Sequence, residues 1–131
     1  MTDKELLYAE AKRTINNAYA PYSNYKVSAA LLLADSLIIS SQNVENASYG
    51  LTVCAERNVL FKAISLGYKK EDIKAMLIYV PKENNMPYPC GACRQVMVEL
   101  MKLDSTIYIS NDSVIEEHKL SDFMPYKWEL E

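Results

Sequence analysis

The chain has 131 residues, half of them hydrophobic and 24% charged, which fits one domain spanning 1–131 with a core large enough to fold without staples. The net charge is −3 and the two signs are interspersed, so there is no basic stripe for a polyanion and no nucleic-acid partner is expected. No apolar run reaches the roughly 20 residues of a membrane span, and Met1-Thr2-Asp3-Lys4-Glu5 lacks the basic-then-apolar layout of a secretory leader, so a cytoplasmic protein with no membrane partner is expected.

Leu6, Leu7, Ala11, Ile15, Ala18 and Tyr19 recur at helical spacing and predict a helix over residues 3–20, opened by the capping pair Thr2 and Glu5 and stopped by Pro21. Residues 26–33 and 37–41 are short apolar runs around Asp35-Ser36, the pattern of an antiparallel hairpin. A second helix is predicted over 54–66, with Val59, Leu60, Ala63, Ile64 and Leu66 apolar and Gly67 as its stop. Residues 75–80 read as a buried strand and 81–89 as a loop. A third helix over 90–103 buries Val96, Met97, Leu100 and Met101. Strands follow at 106–110 and 113–118 around the turn Asn111-Asp112, then a helical turn at 121–124 and a tail with the only tryptophan, Trp128. Helices alternating with strands predict an α/β fold, a three-layer α-β-α sandwich around a mixed five-stranded sheet.

Three cysteines are an odd count, and a reducing compartment disfavours disulfides, which leaves inert core residues, a redox pair or metal ligands. Cys54 stands in Thr52-Val53-Cys54-Ala55-Glu56-Arg57, and the other two in Pro89-Cys90-Gly91-Ala92-Cys93-Arg94-Gln95. Each stretch falls where a loop enters a predicted helix, and a helix N-terminus stabilises thiolates through its free N–H groups and partial positive charge. Cys90 and Cys93, three apart, can face one point, and Cys54 would approach it from the other helix. Three protein ligands leave the fourth position of a tetrahedral zinc open for water, the mark of a catalytic site. A lone cysteine is usually a small buried hydrophobe, a lone Cys-x-x-Cys could be a redox pair, and a glutamate in a first helical turn is common for dipole reasons. The conjunction of all three with Glu56 two residues after Cys54 is what points to catalysis, and a ligand two residues before Glu with a later Pro-Cys-x-x-Cys matches the known zinc-deaminase signature.

The chain resembles the small homotetrameric, zinc-dependent cytidine deaminases over essentially its whole length. The matching stretches are Ala20-Pro21-Tyr22-Ser23, Ser28-Ala29-Ala30-Leu31-Leu32, Asn43-Val44-Glu45-Asn46-Ala47-Ser48-Tyr49 and the two cysteine motifs. The resemblance implies one Zn²⁺ per subunit held by Cys54, Cys90 and Cys93, with Glu56 as the proton shuttle. It implies hydrolysis of cytidine and 2′-deoxycytidine to the uridines and ammonia, in pyrimidine salvage. Asn43 and Glu45 would grip the ribose 3′-hydroxyl, which is both donor and acceptor and takes one partner of each kind. The Ala55 backbone would contact the pyrimidine edge, and Tyr25 would stack on the base where the family usually has phenylalanine. Trp128 matches an aromatic that lines a neighbouring subunit's pocket and is also read as a plain core or interface aromatic; Tyr49 would reach a pocket from its own or a neighbouring subunit.

Three thiolates around a divalent cation leave net negative charge, so a compensating donor is needed. Arg57, with Arg94 as a second candidate, is expected to donate to the thiolates, against the general expectation that an arginine on a helix faces solvent. Ser28, Ser36 and Ser41 stand where the family commonly has glycine, and they bear on turns and packing. His118, the only histidine, lies in no motif and is read as structural or exposed. Three rivals share the zinc motif: a blasticidin-type antibiotic deaminase, which would lack Asn43-x-Glu45-Asn46; a nucleic-acid-editing deaminase, which would need a basic face; and a closed four-ligand zinc module with no use for Glu56.

Overall fold

The structure, a computed structural model, describes residues 1–81 and 86–130. Its elements in order are α1 (Asp3–Thr14), β1 (Ser28–Leu33), β2 (Ile38–Gln42), α2 (Ala55–Ser65), β3 (Ile73–Tyr79), α3 (Gly91–Leu100), β4 (Thr106–Ser110) and β5 (Ile115–Lys119). A short 3₁₀ turn, Leu120–Phe123, follows β5. The predicted order of helices and strands is the observed one. Of the expected loop at 81–89, residues 82–85 lie outside the described residues.

The sheet runs β2-β1-β3-β4-β5, with β3 and β4 parallel and the other neighbours antiparallel. The hairpin between β1 and β2 closes with Ser36 at φ 67°, a left-handed position where glycine would be less strained. The parallel pair needs a crossover, and α3 makes it. Alternation along the strands splits the core in two. Ala30, Ala75, Leu77 and Tyr79 meet Leu7 and Ala11 of α1 on one face. Leu31, Met76, Ile78, Ile107 and Ile109 meet Val59, Leu60, Cys93 and Met97 of α2 and α3 on the other. The molecule is therefore the predicted three-layer sandwich, and β3 is apolar and buried along its length except at Lys74 because both of its faces are covered.

Helix α1 stops at Thr14, short of the expected residue 20. Thr14 Oγ1 donates back to Glu10 O at 2.9 Å, a bond that competes with helix propagation. After the 3₁₀ turn Ile15–Asn17, the Tyr19 N–H donates to Asn43 O and its carbonyl accepts from Glu45 N, so tertiary pairing takes the chain before Pro21 can act. Thr14 also belongs to a polar cluster beneath α1, accepting from Gln42 Nε2 at 2.8 Å; that same amide donates to Ser28 Oγ at 2.9 Å. Helix α3 likewise ends at Leu100, because Met101 is already extended ahead of the Lys102–Ser105 turn into β4.

Candidate metal centre and active-site cleft

Two helix N-termini converge behind the sheet. Cys54 is the N-cap of α2 and Cys90 the N-cap of α3, whose sulfur accepts the Cys93 N–H at 3.5 Å. Cys93 is buried in the first turn of α3. The three Sγ atoms lie within 4.8 Å of one another, with Cys54 and Cys90 at 3.9 Å. The hydrogen bond with Cys93, reinforced by Arg57, brings the Cys54 thiol down to about 5, while the same bond and burial push Cys93 well up. One proton shared between crowded sulfurs explains both directions, and a divalent cation at their centre would allow all three to ionise. The donor set is all sulfur, of the kind zinc takes, and the half-open Cys90 side leaves room for a non-protein ligand.

Glu56 lies in the first turn of α2 and is only 5% exposed. Burial, helped by the Cys54 thiolate, pushes its carboxyl up to about 7, where it can both accept and release a proton near neutrality. Arg57 Nη2 donates to Cys54 Sγ at 3.6 Å and to Thr52 O at 3.4 Å. Its Nε is buried without a partner among the described residues. Arg94 does otherwise than expected. Its Nε donates to Pro89 O at 2.7 Å and its Nη1 to Phe123 O at 3.2 Å, so it braces the backbone ahead of Cys90 instead of bonding a thiolate.

Above the cysteines opens a cleft of about 280 Å³. Cys54, Cys90, Ala55 and Glu56 line it together with Asn43, Glu45 and Thr52. Tyr25 is half-buried at the cleft, and burial together with the Glu56 charge raises its phenol pKa. Asn43 Oδ1 accepts from Val27 N at 2.9 Å and Nδ2 donates to Tyr25 O at 2.8 Å, which locks the amide while one N–H stays uncommitted by these bonds. Glu45 accepts from the Tyr22 and Ser23 backbone N–H groups and from the Ser23 hydroxyl. Tyr49 lines a neighbouring hollow of about 300 Å³ that shares Glu45 and Thr52 with the cleft. Trp128 is 64% exposed, accepts from Gln95 Nε2 through its carbonyl and does not line the cleft of its own chain.

Sequence reasoning missed Val27, Thr52, Pro87 and Tyr88 as lining residues. The available signal for the last two was the run Met86-Pro87-Tyr88-Pro89 immediately before Cys90, an aromatic stiffened on both sides. A larger hollow, about 460 Å³, lies between α1, β2 and α2. It shares no lining residue with the cleft, and its polar groups bond one another, as in Ser40 Oγ to Glu10 and Lys62 Nζ to Ser40 O.

An open cluster of three thiols beside a buried carboxyl fits a zinc-dependent hydrolytic enzyme. Residues 1–110 match the family model for the cytidine and deoxycytidylate deaminase zinc-binding region. The chain is 45% identical over 124 residues to a cytidine deaminase of Halalkalibacterium halodurans, covering 94% of this chain and 92% of that one. It is 40% identical to a cytidine deaminase of Sporosarcina psychrophila, covering 94% and 89%. The crystal structure of cytidine deaminase from Burkholderia pseudomallei superposes with a TM-score of 0.90 at 41% identity, covering 98% of this chain and all of that one. The chain belongs to the cytidine and deoxycytidylate deaminase family, and zinc is the metal that its cysteine cluster fits.

Proposed function

We propose that this chain is a cytidine deaminase that hydrolyses cytidine and 2′-deoxycytidine to uridine and 2′-deoxyuridine, releasing ammonia, as a step of pyrimidine salvage. The observation that carries the reading is the convergence of three thiols and Glu56 on one cleft sized for a small molecule. Zinc, held by Cys54, Cys90 and Cys93, would supply Lewis-acid activation of water. Glu56 takes a proton from the attacking water and gives one to ring N3, so that C4 becomes tetrahedral. It then carries the second water proton to the amine, the C4–N4 bond breaks, and ammonia leaves as the carbonyl forms. A carboxyl that burial holds above the usual carboxylate range suits both directions of transfer. Arg57 donates to Cys54 and offsets the negative charge of the thiolates.

Asn43, through its uncommitted N–H, and Glu45 bind the sugar 3′-hydroxyl, Tyr25 stacks on the base, and the Ala55 backbone meets the pyrimidine edge; all four line the same cleft. Neither the cleft nor the adjoining hollow has a lysine or arginine among its described lining residues, which supports a free nucleoside over a nucleotide. Tyr49, Leu51, Phe61 and Trp128 are exposed apolar groups, which supports assembly into a homotetramer in which Tyr49 and Trp128 approach a neighbouring pocket. No helix among the described residues is long and apolar enough to cross a membrane. An ultraviolet assay of cytidine, 2′-deoxycytidine and their 5′-monophosphates tests the reading. The nucleosides are expected to turn over and the monophosphates to fail; preference for a monophosphate would overturn it.

A further inference from the structure

One wall of the cleft is built with more care than a loop needs. Pro87 and Pro89 are buried on either side of Tyr88, whose own N–H donates to Met86 O at 2.9 Å. Proline fixes its own φ and restricts the residue before it, so the backbone at Tyr88 is stiff from both sides. Arg94 holds the Pro89 carbonyl in addition. The Tyr88 side chain reaches across to β5, where its hydroxyl donates to Glu116 Oε1 at 2.8 Å. The same oxygen lies 2.9 Å from His118 Nε2, and the His118 ring meets Tyr88 edge-on at 6.3 Å. Tyr88 is 49% exposed and its ring also meets Phe123 at 6.4 Å, so the hydroxyl anchor adds a directional hold to these ring contacts.

The position of this wall follows from the proposed chemistry, on which the inference rests. C4 of cytosine is flanked by N3 and C5. Glu56, on α2, serves N3. The C5 edge then faces away from Glu56 and α2, and the lining residues that come from the approach to α3 are Pro87, Tyr88 and Cys90. We propose that Tyr88 is a specificity-determining residue that closes the cleft against substituents at C5 of the base, and that Glu116, paired with His118, is the positioning residue that holds it there. The ring excludes a group by size, and the carboxylate keeps it from yielding.

The test compares kcat/KM for cytidine and 5-methylcytidine across variants, each with its zinc content measured. Wild type is expected to favour cytidine by about tenfold or more, the discrimination one carbon can produce in a tight pocket. Tyr88→Ala is expected to lose most of that preference. Tyr88→Phe and Glu116→Ala, which both break the anchor, are expected to relax it to a similar partial extent, and the double variant to go no further than either. Glu116→Gln, whose amide oxygen still accepts from the phenol, is expected to restore it. Calorimetric titration with uridine and 5-methyluridine reads the same selection without turnover. A preference unchanged in Tyr88→Ala overturns the inference, and one relaxed in Tyr88 variants but not in Glu116→Ala overturns the role of Glu116. Failure of zinc-loaded wild type to act on cytidine would instead reject the proposed reaction.

Discussion

Glu56 is set against stability, and replacing it should show this. Its carboxyl is almost fully buried and its pKa rises from 4.5 to about 7 in the folded, metal-free chain. A raised acid pKa means that the fold disfavours the ionised form. The penalty is absent below the unfolded value, grows as pH climbs from 4.5 to about 7, and is complete above that. At 1.36 kcal/mol per unit the full penalty is about 3 kcal/mol. Glutamine is neutral throughout, so Glu56→Gln should gain about 3 kcal/mol over metal-free wild type between pH 4.5 and about pH 8. Comparing the two proteins cancels most of the other titrating groups. The assay is urea unfolding of both chelator-treated proteins at several pH values. A difference that stays flat with pH, or that favours wild type as pH rises, would refute the reasoning. The same variant should keep its zinc and lose about 10²- to 10⁴-fold in turnover, the usual span of a general acid–base group.

Arg57→Gln removes the donor at 3.6 Å from Cys54 and should weaken zinc affinity about 10- to 100-fold, read by competition with a chromophoric chelator. Leu60, fully buried between α2 and the sheet, should cost about 2–5 kcal/mol on truncation to alanine, measured by chemical unfolding at constant zinc. Thr14→Val strips the acceptor from Gln42 Nε2 beneath α1 and should cost about 1–3 kcal/mol in the same unfolding assay, with turnover little changed because this cluster shares no lining residue with the cleft.

Much of this architecture was legible in the sequence because local and tertiary signals agree. The strand Ile73–Tyr79 is apolar apart from Lys74 since helices cover both of its faces, and Gly67 closes α2 with φ 96°, a conformation other residues resist. The zinc cluster was legible because cysteine chemistry is rare enough that three thiols at two helix starts have few other uses. What escaped was set by contacts distant in sequence. The end of α1 is decided by the pairing of Tyr19 with Asn43 and Glu45, so a proline at 21 looked like the terminator when the chain had already turned. Arg94 stands beside a ligand yet bonds Phe123 O, 29 residues on, and Tyr88 finds Glu116 at a separation of 28. Adjacency to a motif says little about where a long side chain will reach.

The central claim is that the cysteine cluster and Glu56 together make a zinc-dependent cytidine deaminase. Its most direct test removes zinc with a chelator, returns it in measured increments, and follows cytidine turnover by ultraviolet absorbance. Activity is expected to vanish with the metal and to return in proportion to bound zinc, saturating at one ion per chain. Turnover that persists in the metal-free protein, or that stays absent once one zinc per chain is bound, would contradict the account.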